Sequence, residues 1–189
     1  MWNELTLSTD EYSNMLHLPI DKVSERHWGL TPALAESYLE AARVILDIFH
    51  ESPQRFRLFK QQEAFNALVT WAAADERCRA AWANKDDAVR DGAYLFALAA
   101  SEVMLGWYAI RRAETRTGAD YYLAPLNHSP EDLEDVYRLE VSGTRLDEAA
   151  VRQRLMEKVQ QTRDGNSNLP AVAIVVGFKV RLILLQMVE

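Results

Sequence analysis

Two carboxylates, Asp120 and Glu140, are the residues of this 189-residue chain whose type and spacing point most clearly to chemistry. Residues 118–120 (Gly-Ala-Asp) open a run of β-favouring residues, and residues 140–142 (Glu-Val-Ser) close the next such run. If the two runs form neighbouring strands, the carboxylates converge on one point. Mg²⁺ is bound through one or two carboxylates together with water and phosphate oxygens, so the pair predicts a divalent-cation site.

A divalent cation held there would activate a water molecule and neutralise the charge that develops on a phosphorus centre. Two further glutamates could join the site. Glu114 lies shortly before the first run, and Glu102 interrupts the apolar surface of the preceding helix. A buried carboxylate is costly unless it is paired or bound. The structural alternative for both glutamates is a salt bridge with an arginine among residues 111–116.

The elements that must position these residues follow the order helix, strand, strand, helix, strand, strand. We expect a long helix over about 88–116, strands over 121–123 and 136–141, a helix from about 144 to 163, and strands over 171–176 and 181–188. The last two runs are almost continuously apolar, which suits strands that are covered on both faces. The sequence therefore predicts an α/β (α+β) fold with a mixed sheet.

The N-terminal part is predicted to form a helical layer beside this sheet. Thr31-Pro32 and Ser52-Pro53 each have the residue types of a helix start, and residues 75–82 indicate a further helical piece. Residues 5–7 are predicted to form a short strand. We expect a helical N-terminal region over 1–87 and an α/β core over 88–189, joined as one compact unit because no linker separates them.

The order of these elements, with residues 118–120 on one strand and 140–142 on the next, resembles the restriction-endonuclease-like, or PD-(D/E)XK, nuclease superfamily. The resemblance covers about residues 89–188. It implies that Asp120 and Glu140 are Mg²⁺ ligands, with the Val141 carbonyl as a further oxygen. It also implies that Glu114 or Glu102 matches the helix glutamate of the superfamily.

The departure from the superfamily is Ser142, which stands where those nucleases carry a lysine. That lysine positions the attacking water or helps to deprotonate it, and serine carries no positive charge. Lys158 or Arg154 could reach in from the following helix instead. Lys158, Gln160 or Gln161 would lie where some members carry an auxiliary polar residue. The resemblance thus implies metal-dependent phosphodiester hydrolysis of DNA or RNA, with a defence or DNA-processing system as one setting, or a catalytically inactive relative.

The formal net charge of −7 argues against a dedicated nucleic-acid coat protein, because phosphate contacts need surplus Lys and Arg. It suits the alternative function of an acidic protein-binding protein, such as an inhibitor, an immunity protein or an assembly subunit. The acidic loop 131–135 would then face a basic partner, and a homo-oligomer also stays open. We expect no membrane span and a cytoplasmic location, and the single Cys78 indicates neither a disulfide nor a metal site.

Overall fold

The α/β fold is confirmed by the computed structural model, which describes residues 15–115, 117–165 and 167–188. Within them four α-helices accompany one eight-stranded mixed sheet. The helices are α1 (Pro32–Phe49), α2 (Glu76–Ala81), α3 (Lys85–Leu105) and α4 (Glu148–Arg163). The strands are β1 (Leu16–His17), β2 (Gln54–Lys60), β3 (Glu63–Val69), β4 (Trp107–Arg112), β5 (Tyr121–Pro125), β6 (Tyr137–Thr144), β7 (Ala171–Gly177) and β8 (Leu182–Val188).

The sheet has the strand order β1-β3-β2-β8-β7-β6-β5-β4. The pairs β1–β3, β2–β8 and β6–β7 are parallel, and the other neighbours are antiparallel. Helices α1 and α3 pack on each other and cover one face, while α4 covers β6, β7 and β8 on the other. This double cover explains why all seven residues of β7 are buried.

Helix α1 begins where its sequence predicts, since the Thr31 side chain accepts a hydrogen bond from the Leu34 N–H. The second predicted helix, after Ser52-Pro53, is wrong. That segment forms the β2–β3 hairpin, in which Phe56 and Leu58 are buried and the intervening Arg57 is exposed. The alternation of buried and exposed side chains has the period of a strand, and it outweighs the helix-start signal.

The long helix predicted over 88–116 is also shorter than expected. Gly106 adopts a left-handed conformation with φ 68°, and its N–H caps the C-terminus of α3. A left-handed glycine is a common helix end, and it frees the next six residues to form β4. The long helix is therefore followed by three strands, β4, β5 and β6, before α4 begins.

The two faces of β6 separate the core from the candidate site. Leu139 and Val141 lie in the main hydrophobic core together with residues of α3. Glu140, on the alternate face, bonds to a residue of α4. The start of α4 differs slightly from the prediction, because Asp147 and not Thr144 caps it, accepting from the Ala150 N–H.

The strand predicted over residues 5–7 lies outside the described residues. Among the helices that the structure describes, none has the length and apolar character that crossing a membrane requires.

Close packing of α1 on α3 depends on Gly92. A Cβ atom there would lie 2.9 Å from Ala42 Cα and 3.0 Å from its backbone nitrogen, and neither is a flexible side-chain end. We expect Gly92→Ala to lower the free energy of unfolding by about 1–3 kcal/mol. Helix propensity alone predicts a gain of about 1 kcal/mol. Urea denaturation distinguishes the two signs, with Arg90→Ala on the exposed side of α3 as the control, and a net gain would contradict the close packing.

Candidate active site

Asp120 and Glu140 lie next to each other where β5 begins beside β6. The register pairs Tyr121 with Leu139, so one further step along both strands brings Asp120 to Glu140. The Asp120 N–H donates to the Leu139 carbonyl at 2.7 Å. The Asp120 charge is also one of the causes that raise the pKa of Glu140, which places the two carboxylates within electrostatic reach.

Two short hydrogen bonds fix the Asp120 carboxylate. The Tyr94 hydroxyl of α3 donates to Oδ1 at 2.7 Å, and the Val141 N–H of β6 donates to Oδ2 at 2.8 Å. Each carboxylate oxygen can accept more than one bond, so both keep capacity for a further ligand. Asp120 is thus oriented by α3 and β6 together.

An arginine and three tyrosines support this carboxylate from behind. The Arg112 guanidinium lies 4.6 Å from the Tyr94 ring centroid and 4.7 Å from that of Tyr121. It donates to the Tyr38 hydroxyl at 3.0 Å and to the Tyr94 hydroxyl at 3.2 Å. Burial and the Asp120 charge raise the pKa of Tyr94, so its hydroxyl keeps the proton that it donates to Asp120.

Glu140 is buried, with 4% of its surface exposed, and its partner is a lysine of α4. Lys158 Nζ donates to Glu140 Oε1 at 2.6 Å and to Gln161 Oε1 at 3.0 Å. Burial, and then the Asp120 charge, raise the pKa of Glu140, although Lys158 acts in the opposite direction. Glu140 Oε2 makes no hydrogen bond to any residue that the structure describes, so it is left for another ligand.

A surface hollow of about 1100 Å³, the larger hollow, opens over these groups. Asp120, Glu140 and Lys158 line it together with Arg112 and residues of the α4 C-terminal half. A second hollow of about 390 Å³, the smaller hollow, shares Asp120, Glu140 and Lys158 with the first. The three residues therefore lie where two open surface hollows meet, so a ligand can reach them from outside.

Ser142 lines the smaller hollow, and a second cation of α4 reaches it. Arg154 Nη1 donates to Ser142 Oγ at 3.4 Å. Two cations of α4 thus lie beside β6, where Lys158 contacts Glu140 and Arg154 contacts Ser142.

The two glutamates that were predicted on the long helix lie on different segments, because Glu102 is on α3 and Glu114 follows β4. Glu114 lines the larger hollow, but it is half exposed and its carboxylate accepts from Tyr122 and Arg111. Glu102 pairs with Arg26 at 2.9 Å and with His27 at 3.3 Å, away from both hollows. Both glutamates therefore form salt bridges, as predicted. The partner of Glu114 is the predicted Arg111, whereas the partner of Glu102 is Arg26, which was not predicted.

The donor set suits a hard divalent cation. Asp120 and Glu140 supply carboxylate oxygens, and the N–H and C=O of one strand residue point to the same side. Because the Val141 N–H points to Asp120, the Val141 carbonyl also faces that side. Among the residues described, no group of three or more His, Cys, Asp or Glu side chains is arranged to hold a metal, so water or substrate oxygens would complete the shell.

Tyr94 and Arg112 are the site residues that the sequence interpretation missed. Both fell within the predicted long helix, where Tyr94 was not singled out and Arg112 was considered only as a salt-bridge partner. A signal was present, because a tyrosine inside a buried apolar run needs a partner for its hydroxyl. That partner, Asp120, is 26 residues away.

The Glu140–Lys158 pair makes a pH-dependent prediction. Lys158→Met leaves the buried carboxylate without its cation, which raises the folded-state pKa of Glu140 further above its ordinary 4.5. When the folded-state pKa of an acid is raised, the folded state loses stability as pH rises from the unfolded-state pKa to the folded-state pKa. The loss of free energy of unfolding is therefore small near pH 4 and complete above the folded-state pKa of Glu140. We expect the free energy of unfolding to fall by about 2 kcal/mol at neutral pH.

Urea denaturation across this pH range measures the loss, with Lys179→Met as the control. Lys179 is an exposed lysine in the turn between β7 and β8. An equal loss at acid and neutral pH would show that Lys158 acts through packing and not through the Glu140 charge.

Comparison with protein-family models, with curated proteins and with solved structures gives no match for this chain. We therefore infer its function from the chemistry of Asp120, Glu140, Lys158 and their neighbours, and from the order of the elements that carry them.

Proposed function

We propose that the protein is a divalent-cation-dependent phosphodiester hydrolase that acts on DNA or RNA. The observation that carries the proposal is the meeting of Asp120, Glu140 and Lys158 at the junction of two open hollows. Two adjacent carboxylates bind a hard cation, and a nearby ammonium group orients water or stabilises a developing negative charge. Mg²⁺ or Mn²⁺ bound there supplies Lewis-acid activation of water and of the phosphate.

Each residue has a definite part in this proposal. Asp120 and Glu140 hold the cation with the Val141 carbonyl. Tyr94 and the Val141 N–H keep the Asp120 carboxylate in one orientation, so little reorganisation is needed when the cation binds. Lys158 replaces the lysine absent from position 142, and its contact with Glu140 places its ammonium group beside the cation-binding oxygens.

The similarity of the element order to PD-(D/E)XK nucleases supports this proposal. In that pattern a helix leads into strands that carry the aspartate and the glutamate, and a helix and a strand follow. Here α3, β4, β5, β6, α4 and β7 follow one another in that manner. Asp120 precedes β5 and Glu140 lies within β6.

A non-catalytic relative is the second candidate, and one observation favours it. Lys158 already neutralises Glu140 through a 2.6 Å contact, and both Asp120 oxygens already accept hydrogen bonds. Such a site could be electrostatically complete without a metal. The protein would then act by binding, either to nucleic acid or through its acidic surface to a protein.

Metal binding separates the two candidates. We expect Asp120→Asn to weaken Mg²⁺ and Mn²⁺ binding by more than about tenfold, because an amide is a poor substitute for a charged oxygen ligand. Isothermal titration calorimetry measures the effect. Asp164→Asn is the matched control, since Asp164 is an exposed carboxylate of the same hollow and bonds to Gln160. We expect a change of less than about twofold for it.

Mg²⁺ affinity should also depend on pH. Glu140 must be deprotonated to bind a cation, and its pKa is raised chiefly by burial. Affinity therefore increases as pH rises from about 4.5 through the raised pKa of Glu140, and binding below that pKa releases a proton. Calorimetry in buffers of different ionisation enthalpy measures the proton release, and Glu140→Gln should abolish it.

Cleavage assays decide whether the site is catalytic. Wild type is incubated with plasmid, single-stranded DNA and RNA in Mg²⁺ and in Mn²⁺. We expect Asp120→Asn and Lys158→Met each to reduce cleavage by about 100-fold or more. A wild type that binds neither ion and cuts none of these substrates would overturn the proposal. Tight, metal-independent binding to another protein would favour the non-catalytic candidate.

A further inference from the structure

The two hollows that meet at Asp120, Glu140 and Lys158 differ in charge. Besides the three shared residues, the larger hollow is lined by the acidic Glu114, Glu157 and Asp164 and by the basic Arg112. The smaller hollow is lined by the acidic Asp86 and by the basic Arg90 and Arg154. The larger hollow thus has five acidic against two basic residues, and the smaller has three of each. A chain of phosphates is therefore repelled less strongly by the smaller hollow.

Arg154 is the cation of the smaller hollow that is best placed to bind an anion. It is exposed, and it forms no salt bridge with any carboxylate of the described residues. Arg90 differs, because its guanidinium already donates to Asp87 at 2.9 Å and to Asp91 at 2.7 Å. The contact with Ser142 uses one of the five guanidinium N–H groups of Arg154, and the rest stay available.

The spacing of Arg154 and Lys158 suits successive phosphates of one strand. The two residues are four apart on α4, so they lie on the same helix face about 6 Å apart along the axis. Successive phosphates of a nucleic-acid strand are separated by a similar distance. The short Ser142 side chain leaves Arg154 room beside β6, where a longer side chain would compete for the same space.

We propose that Arg154 binds the phosphate next to the scissile one, so that the strand leaves the site through the smaller hollow and not through the larger. The position of the scissile phosphate, at Asp120 and Glu140, rests on the proposed function. The strand path itself rests on charge and on the Arg154 position. The planar guanidinium fork suits bidentate contact with phosphate oxygens.

Binding of fluorescently labelled oligonucleotides tests the path without requiring cleavage. Fluorescence anisotropy is measured with single-stranded DNA and with RNA, in Ca²⁺ and without metal, over a range of salt concentrations. We expect Arg154→Ala to weaken binding by about tenfold. The slope of log K against log salt should fall by about 0.7, which corresponds to one lost phosphate contact on a single strand.

Arg152→Ala is the matched control for the loss of one positive charge from α4. Arg152 is also exposed, but it donates to Glu148 and lines a separate hollow beside Leu184. We expect its salt slope to equal that of wild type. Glu157→Gln tests the larger hollow, and we expect it to change affinity by less than about twofold, since Glu157 would lie off the strand path.

Equal effects of Arg154→Ala and Arg152→Ala would overturn the strand path, as would a larger gain from Glu157→Gln than the loss from Arg154→Ala. The same path is overturned if wild type binds neither DNA nor RNA. If wild type cleaves and Arg154→Ala matches the control, hydrolysis stands without this path. If binding depends on Arg154 and no divalent ion supports cleavage, the path stands and hydrolysis is wrong.

Discussion

The position of Asp120 is the constraint on which the site depends. Its backbone N–H bonds to Leu139, and its side chain accepts from Val141 and from Tyr94. Asp120 thereby forms hydrogen bonds with the Leu139 carbonyl and the Val141 N–H of β6, and its bond with Tyr94 connects α3 to the sheet. Because the carboxylate is held by α3 and by β6, its orientation is established when the core forms and not when a ligand arrives.

Burial of charge around Asp120 is tolerated because nearly every group has a partner. Glu140 is paired with Lys158, and the Arg112 guanidinium lies between aromatic rings and tyrosine hydroxyls. A half-satisfied network of this kind would be worse than an apolar core. The exception is Glu140 Oε2, which has no hydrogen-bond partner among the described residues. The oxygen without a hydrogen-bond partner and the raised pKa are therefore both properties of the Glu140 carboxyl group.

Much of the α/β core could be predicted from the sequence because its signals are local. The apolar runs of β7 and β8 and the start of α1 each depend on a few neighbouring residues. The β2–β3 hairpin was missed because its alternation is short and its helix-start signal is strong. Strand β4 was missed because the apolar pattern of α3 continues past Gly106, and only the left-handed backbone there ends the helix.

The candidate site was predictable only in part, for a related reason. Asp120 and Glu140 follow from alternation and strand adjacency, whereas Lys158 was expected only through the resemblance to the nuclease superfamily. Tyr94 and Arg112 act through contacts between distant segments, such as the 74 residues that separate Arg112 from Tyr38. No local pattern carries that information, because each residue type is ordinary in its own element.

The position of β8 in the sheet has a consequence for how the molecule is made. β8 lies between β2 and β7, so among the described strands the β2–β3 hairpin joins β4–β7 only through β8, the last of these strands in sequence. During synthesis the ribosome must therefore expose residues up to 188 before the sheet becomes continuous. Until then the edges of β2 and β7 are unprotected, and a nascent chain stalled before β8 presents two open strand edges to chaperones or to other chains.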